Sequence, residues 1–383
     1  MANQFLTPNM IVSGSNALQD AGKVIATFGK KALVVTDAMM VKLGNAAKLE
    51  EVLKTNGVEY VIYPEINAEP SDVMIAGGVE AYKANECDFI IGLGGGSPID
   101  SAKAIGMMST TDVKISSFMG KIIDVDMPKL VAIPTTAGTG SEATKFTIIN
   151  DTENSVKMLL TGPCLIPDLA VIDPQFTMTA PASVTAATGI DALCHATEAY
   201  TSKKAQPLSD TFALSAIKRI MNNLATCVKE PTNEAARIQM SLAATEAGIA
   251  FNNASVTIIH GMSRPIGANF HVAHGLSNAV LLEACLNKVQ GPITDKLADV
   301  ARYCGMTKAD DDNEAAKVFL NAVSLLLKDC NVPTMKDVIK DHELYKSLVT
   351  KMAHDAAVSG SPANTIYPIS EEEMVEIYLN LIG

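Results

Sequence analysis

The stretch CDFIIGLGGGSPIDSAKAIG, residues 87–106, decides the fold. An apolar, β-branched run ends in Gly92, Gly94, Gly95 and Gly96. Alanine-rich helical sequence follows at once, and that combination marks a buried parallel strand turning directly into a helix. Ser97 is expected to cap the helix, with Pro98 at its first position, where a missing N–H costs nothing. Glycines allow close backbone approach to a diphosphate, and a helix N-terminus supplies N–H donors and partial positive charge. The turn departs from the dinucleotide fingerprint, because Ser97 stands where a third glycine belongs. A tight turn with no ligand remains the alternative at this point.

The same alternation extends in both directions. KALVVTD (31–37), VEYVIYPE (58–65) and KLVAIPTT (129–136) are strands, and AKLEEVLKTNG (47–57) and SDVMIAGGVEAYKANE (71–86, Ser71 as N-cap) are helices. Strand–helix alternation predicts parallel βαβ units. KFTIIND (145–151) and SVKMLL (155–160) predict an antiparallel hairpin. A second loop, IPTTAGTGSEATKF (133–146), carries the hydroxyls of Thr135, Thr136, Thr139 and Ser141. Two such loops after successive parallel strands fall at the carboxyl edge of one sheet, where open α/β sheets bind nucleotides. Asp37, at the end of a strand, is suited to a ribose diol and would repel a 2′-phosphate, favouring NAD over NADP; a plain helix N-cap is its competing role.

After Pro181 the sequence has helical period almost throughout. The fold class is therefore an α/β domain with a parallel, Rossmann-like sheet over residues 1–180 and an all-α domain over 181–383, with a cleft between them. In TGIDALCHATEAY (188–200), Asp191 and His195 stand four apart and share a helical face. Their neighbours, Glu198 included, read as helix interior. His260 falls late in the apolar run NNASVTIIHGMSRPIG (252–267), and His274 opens HVAHGLSNAVLLEA (271–284). One carboxylate and three imidazoles suit a divalent ion such as Fe²⁺ or Zn²⁺. Only six histidines occur in the chain, and His260, His271 and His274 crowd into fifteen residues. Cys194 points off the Asp191/His195 face and is not counted as a ligand.

Composition narrows the class. At 383 residues with 48% apolar content, two cores are expected. A net charge of −12 argues against nucleic acid or an anionic membrane as partner. The seven cysteines form no CxxC pair, and no basic-then-apolar leader opens the sequence, so a cytoplasmic protein with reduced thiols is expected.

These residues resemble the iron-containing (group III) alcohol dehydrogenases, a branch of the dehydroquinate-synthase-like fold. The likeness runs from KALVVTD through GLGGGSPID and IPTTAGTGSE to AVIDPQFTMTAPASVTAATGIDALCHATEAY (170–200) and FHVAHGLSNAVLL (270–282). The resemblance implies that Asp191, His195, His260 and His274 hold the metal. It implies NAD(H) contacts at Asp37, Gly95, Gly96, Ser97, Thr135, Thr136, Ser141 and Lys157; Gly94 and Thr139, in the same two loops, and Asp100, in the helical stretch after the first, complete the candidate set. Phe251 would line the substrate pocket. The implied reaction is hydride transfer between nicotinamide and a small alcohol or aldehyde whose oxygen the metal polarises. His271 is a candidate for proton relay, and a homodimer or larger assembly is implied.

Three positions depart from the family pattern. Arg264 replaces a histidine one turn after the first downstream ligand, Glu69-Pro70 replaces Asn-Pro, and Ser361-Pro362-Ala363 replaces Asn-Pro-Arg. On an expected 254–268 helix, Arg264 shares the face of His260. It is therefore a catalytic and substrate-binding candidate, with two ways to be satisfied: a structural partner, or an anionic group on an aldehyde such as sulfoacetaldehyde or a semialdehyde. A metal hydrolase would not need two nucleotide-facing loops. A carbon–oxygen lyase of the dehydroquinate-synthase type would need more basic residues than Arg264 and Lys157, and a non-catalytic nucleotide binder would not need four ligands.

Overall fold

The structure, a computed structural model, describes residues 2–383. Among the described residues, eight strands form: β1 (Met10–Ser13), β2 (Lys31–Val35), β3 (Glu59–Tyr63), β4 (Phe89–Gly94), β5 (Lys129–Pro134), β6 (Phe146–Asp151), β7 (Val156–Thr161) and β8 (Leu169–Ile172). Six of them make one parallel sheet in the order β1-β8-β5-β4-β2-β3, and β6 and β7 make the expected antiparallel hairpin. β1 and β8 were not anticipated from sequence. Each is only four residues long, too short for a two-residue period to stand out.

The sheet explains the apolar runs. Phe89, Ile91 and Leu93 of β4 pack on one face with Val34, Val131, Ile133 and Val171. Ile90 packs on the other face with Leu33, Val35 and Leu130. Strands covered on both faces need no polar alternation. Helices Asn45–Thr55, Asp72–Ala84 and Gly96–Ser109 make the crossovers, and Ser71 caps the second through Met74 N at 3.3 Å. Strand order reverses between β2 and β4: β3 lies on one side of β2, and β4 followed by β5 lies on the other. Such a switch point opens a crevice at the carboxyl ends of the strands.

Chain division falls at Ala180/Pro181, except that Ala137–Thr139 and residues 2–5 group with the helical unit. That unit buries most of the Ala182–Thr201 helix among helices Pro207–Lys229, Glu234–Ala254, Ile258–Phe270 and His274–Val289. Among the described residues, no helix is long and apolar enough to cross a membrane.

Candidate metal centre and nucleotide loops

Asp191 and His195 project from one face of the buried Ala182–Thr201 helix, as their spacing requires. His260 does not lie late in a continuous run. The preceding helix stops at Ala254, and a new one, Ile258–Phe270, places His260 in its first turn. The break comes at Ser255, whose φ of 69° and ψ of 167° occupy a region other residues leave to glycine. No glycine or proline marks this break, which is why periodicity ran through it. His274 opens the His274–Val289 helix. Gly275, next to it, allows close approach to the first helix: a Cβ there would meet the Ala187 carbonyl at 2.9 Å.

One ligand atom from each of Asp191, His195, His260 and His274 lies within 4.8 Å of every other. His260 Nε2 and His274 Nε2 stand 3.6 and 3.9 Å from Asp191 Oδ1. Metal–ligand bonds of about 2.1 Å give tetrahedral ligand–ligand edges of about 3.4 Å, so little movement separates this set from a coordination shell. Three of the four are buried, and the His274 side chain is 41% exposed, which leaves a way in. Burial alone would raise the Asp191 carboxyl, yet the three imidazoles hold it well below the ordinary range. Burial pushes His195 down to about 3, keeping a lone pair available. For His260 burial also lowers, but Glu198 and Asp191 prevail and raise it to about 9. No lysine or arginine forms an ion pair with Asp191 or Glu198 among the described residues. Two buried carboxylates beside the imidazoles match the charge of a divalent cation, which would take the place of the proton that His260 otherwise holds, and the borderline donor set suits Fe²⁺ or Zn²⁺.

Sequence reasoning passed over two residues here. Asn278, one turn after His274, donates through Nδ2 to Asp191 Oδ1 at 2.5 Å and lies 3.1 and 3.2 Å from His260 Nε2 and His274 Nε2. Glu198, one turn after His195, sits 1% exposed against His260 Nδ1 and the start of the Ile258–Phe270 helix. Its position seven residues after Asp191, on the same face, was the available signal.

The Phe251 ring stacks on His195 at 4.2 Å between centroids. Arg264 lies one turn beyond His260, half-buried, and its recorded contact is a marginal 3.5 Å hydrogen bond from Nη1 to the Ser359 carbonyl. Burial works against its charge, and no carboxylate pairs with it among the described residues. His271 is exposed, ends its helix in left-handed conformation and stands outside the tetrad. Cys194, buried with Sγ toward the Asn278 carbonyl at 3.8 Å, is held as a thiol because burial pushes its pKa well up.

In the α/β unit, Gly92 of β4 pairs with Ala132 of β5 and Gly94 with Pro134, so the two loops leave the sheet side by side. Gly94 has φ 154°, and a Cβ there would strike Pro98 Cγ at 2.4 Å. The helix starts two residues earlier than expected, at Gly96; Gly95 is its N-cap, and Ser97 is inside the first turn rather than capping it. No side chain caps this terminus, so its first N–H groups stay available to an anion. Thr136 Oγ1 is buried with no partner among the described residues, close to Gly95. Asp100 joins the loops: Oδ1 accepts from Ser141 Oγ at 2.9 Å and Oδ2 from Ile148 N at 2.9 Å. Thr135 N donates to the Gly94 carbonyl at 2.9 Å, while Thr139 groups with the helical unit. Asp37 caps a short helix through Met40 N at 2.9 Å, the competing role foreseen for it; that bond uses Oδ1 and leaves Oδ2 open. Lys157, exposed on β7, is paired with Glu69 at 2.6 Å.

Comparison with known proteins places the chain in a family. Residues 8–174 match the family described as iron-containing alcohol dehydrogenase, and residues 185–382 match the Fe-containing alcohol dehydrogenase family, C-terminal. The 1,3-propanediol dehydrogenase of Citrobacter freundii is 34% identical over 381 residues, covering 98% of this chain and 97% of that one. A crystal structure of 1,3-propanediol oxidoreductase superposes with a TM-score of 0.95 at 33% identity, covering 100% of both chains. The sulfoacetaldehyde reductase of Bifidobacterium kashiwanohense, solved with NAD⁺, gives a TM-score of 0.87 at 25% identity, covering 100% of this chain and 99% of that one.

Proposed function

We propose, from the premise that this chain belongs to the iron-containing alcohol dehydrogenase family, that it is an NAD(H)-dependent alcohol dehydrogenase and aldehyde reductase. The observation that carries this reading is the Asp191, His195, His260 and His274 cluster, whose donor set fits Fe²⁺ or Zn²⁺. Bound there, the metal supplies Lewis acidity toward the substrate oxygen, and the nicotinamide supplies or accepts the hydride.

The chain's own residues do the rest. Asp191 brings the negative charge that holds a cation, and His195, kept neutral by burial, brings a lone pair. Phe251, stacked on His195, gives an apolar wall that excludes water from the reacting carbon. The uncapped N-terminus at Gly95–Ser97 takes the diphosphate, with Thr135 and Thr136 beside it. Asp37 offers Oδ2 to the ribose diol and disfavours a 2′-phosphate. Arg264 points to the substrate class: a half-buried guanidinium with one marginal protein contact suits an aldehyde ending in a sulfonate or carboxylate. Edge strand β1 exposes Met10 and Ile11, which supports association of copies of the chain.

The test is spectrophotometric. Metal-stripped protein should leave NADH unchanged with short aldehydes, and addition of Fe²⁺ or Zn²⁺ should start its oxidation. NADH oxidation at the same rate in a chelator would reject the reading.

A further inference from the structure

Glu198 is the most heavily engaged buried carboxylate in the helical unit, and the proposed chemistry assigns it no task. Its Oε1 accepts from Thr257 N (3.1 Å), Thr257 Oγ1 (2.8 Å), Ile259 N (2.7 Å) and His260 N (3.3 Å). These include backbone donors that the first turn of a helix leaves without intrahelical partners, so a side chain from another helix supplies the cap. Its Oε2 meets His260 Nδ1. One carboxylate thus holds both the backbone and the ring of one ligand.

We infer that Glu198 is a positioning residue that fixes His260 with Nδ1 protonated and Nε2 free to bind the metal. An imidazole ligates through a nitrogen that carries no proton, and its tautomer is set by what the other nitrogen meets. Glu198, with its donors already on Oε1, offers Oε2 only as an acceptor, so Nδ1 must carry the proton. Nε2 is then the lone pair, and it lies 3.6 Å from Asp191 Oδ1, within the ligand cluster. The loop before the helix is held to the same end. Asn364 Nδ2 donates to Ser255 Oγ and the Val256 carbonyl, both at 3.1 Å, over the strained Ser255 backbone. Strain persists where surrounding contacts over-determine it. Here the contacts come from both sides of residues 255–260, and they deliver His260 at a fixed height and rotation.

The inference rests on the metal reading proposed above, and Glu198→Gln separates the two. Glutamine keeps the shape and an oxygen for the helix cap, but it turns an amide N–H toward Nδ1 and so favours the Nε2–H tautomer. Zn²⁺ affinity of chelator-stripped protein, measured by competition with a chromophoric chelator, should fall ten- to a hundredfold. Unfolding temperature without metal should shift by only a few degrees, and the visible bands of the Co²⁺ form should change as one nitrogen leaves the shell. Equal affinity and an unchanged Co²⁺ spectrum would overturn the role of Glu198 while leaving the metal site standing. A wild type that binds no Zn²⁺ would overturn both. Should Glu198→Gln not fold, Thr257→Val removes one anchoring hydrogen bond and is expected to weaken Zn²⁺ about threefold; undiminished binding would reject the inference.

Discussion

Replacing Arg264 by histidine, the residue the family resemblance leads one to expect there, tests the substrate assignment. The guanidinium carries five N–H donors, and among the described residues its one hydrogen bond, at the outer limit of length, is to Ser359 O. Its fold role is therefore small: that contact, at the C-terminal end of helix His342–Val358, contributes about 0.5 kcal/mol. A substrate anion held by two charge-assisted bonds would lose about 1.5–3 kcal/mol for each on truncation. Taking one full bond as the lower bound and two partly screened ones as the upper gives about 2–4 kcal/mol, or about thirty- to a thousandfold in kcat/KM. Initial rates of NADH oxidation would be compared for sulfoacetaldehyde or a semialdehyde and for propanal. The loss should fall on the anionic aldehyde, mostly in KM, with propanal changed less than about threefold. Equal losses, or a wild type with no preference for the anion, would show that Arg264 serves only the helix end it touches.

Further outcomes follow from the nucleotide loops. Asp37→Gly should raise the use of NADP(H) relative to NAD(H) at least tenfold, read as the ratio of kcat/KM values, and a wild type indifferent to the two cofactors would refute the ribose role. The same change removes the cap on Met40 N and should cost only a few tenths of a kcal/mol, because glycine is itself a tolerated cap. Gly94→Ala places a Cβ 2.4 Å from Pro98 Cγ at φ 154°, so strain and overpacking together should cost about 2–4 kcal/mol and raise KM for NADH. Denaturant midpoints that match wild type would mean the turn can rearrange.

How much of this was legible in the sequence depended on the range of the signal. Strands β2 to β5 and the β6–β7 hairpin were readable because they are five- and six-residue apolar runs bounded by turn residues: Asp37 after β2, Pro64 after β3, Gly94 and Pro134 at the ends of β4 and β5, and Asp151–Asn154 between β6 and β7. Asp191 with His195 was readable because four residues make one helical turn. The helix break before His260 was not: its causes are the backbone of Ser255 and a carboxylate 59 to 62 residues away, neither of which leaves a local mark. Glu198 and Asn278 looked like ordinary helix positions until three helices brought them to the ligands. Ser97 was given the cap by residue preference, whereas Gly95 and Gly96, free of Cβ atoms, let the helix start earlier. Asp100 shows the converse, a candidate cofactor contact on the Gly96–Ser109 helix whose two oxygens are spent on Ser141 and on the backbone of β6.

The central claim is that Asp191, His195, His260 and His274 hold the metal that turnover needs. Elemental analysis of the purified protein, beside the rate of NADH oxidation on the same sample, tests it most directly when wild type is compared with His274→Ala. The partly exposed His274 side chain can be removed with little loss of packing, so circular dichroism should be unchanged. The account predicts iron or zinc near one per chain in wild type, little in the variant, and turnover that follows the metal. A His274→Ala protein that is metal-free and fully active would contradict it.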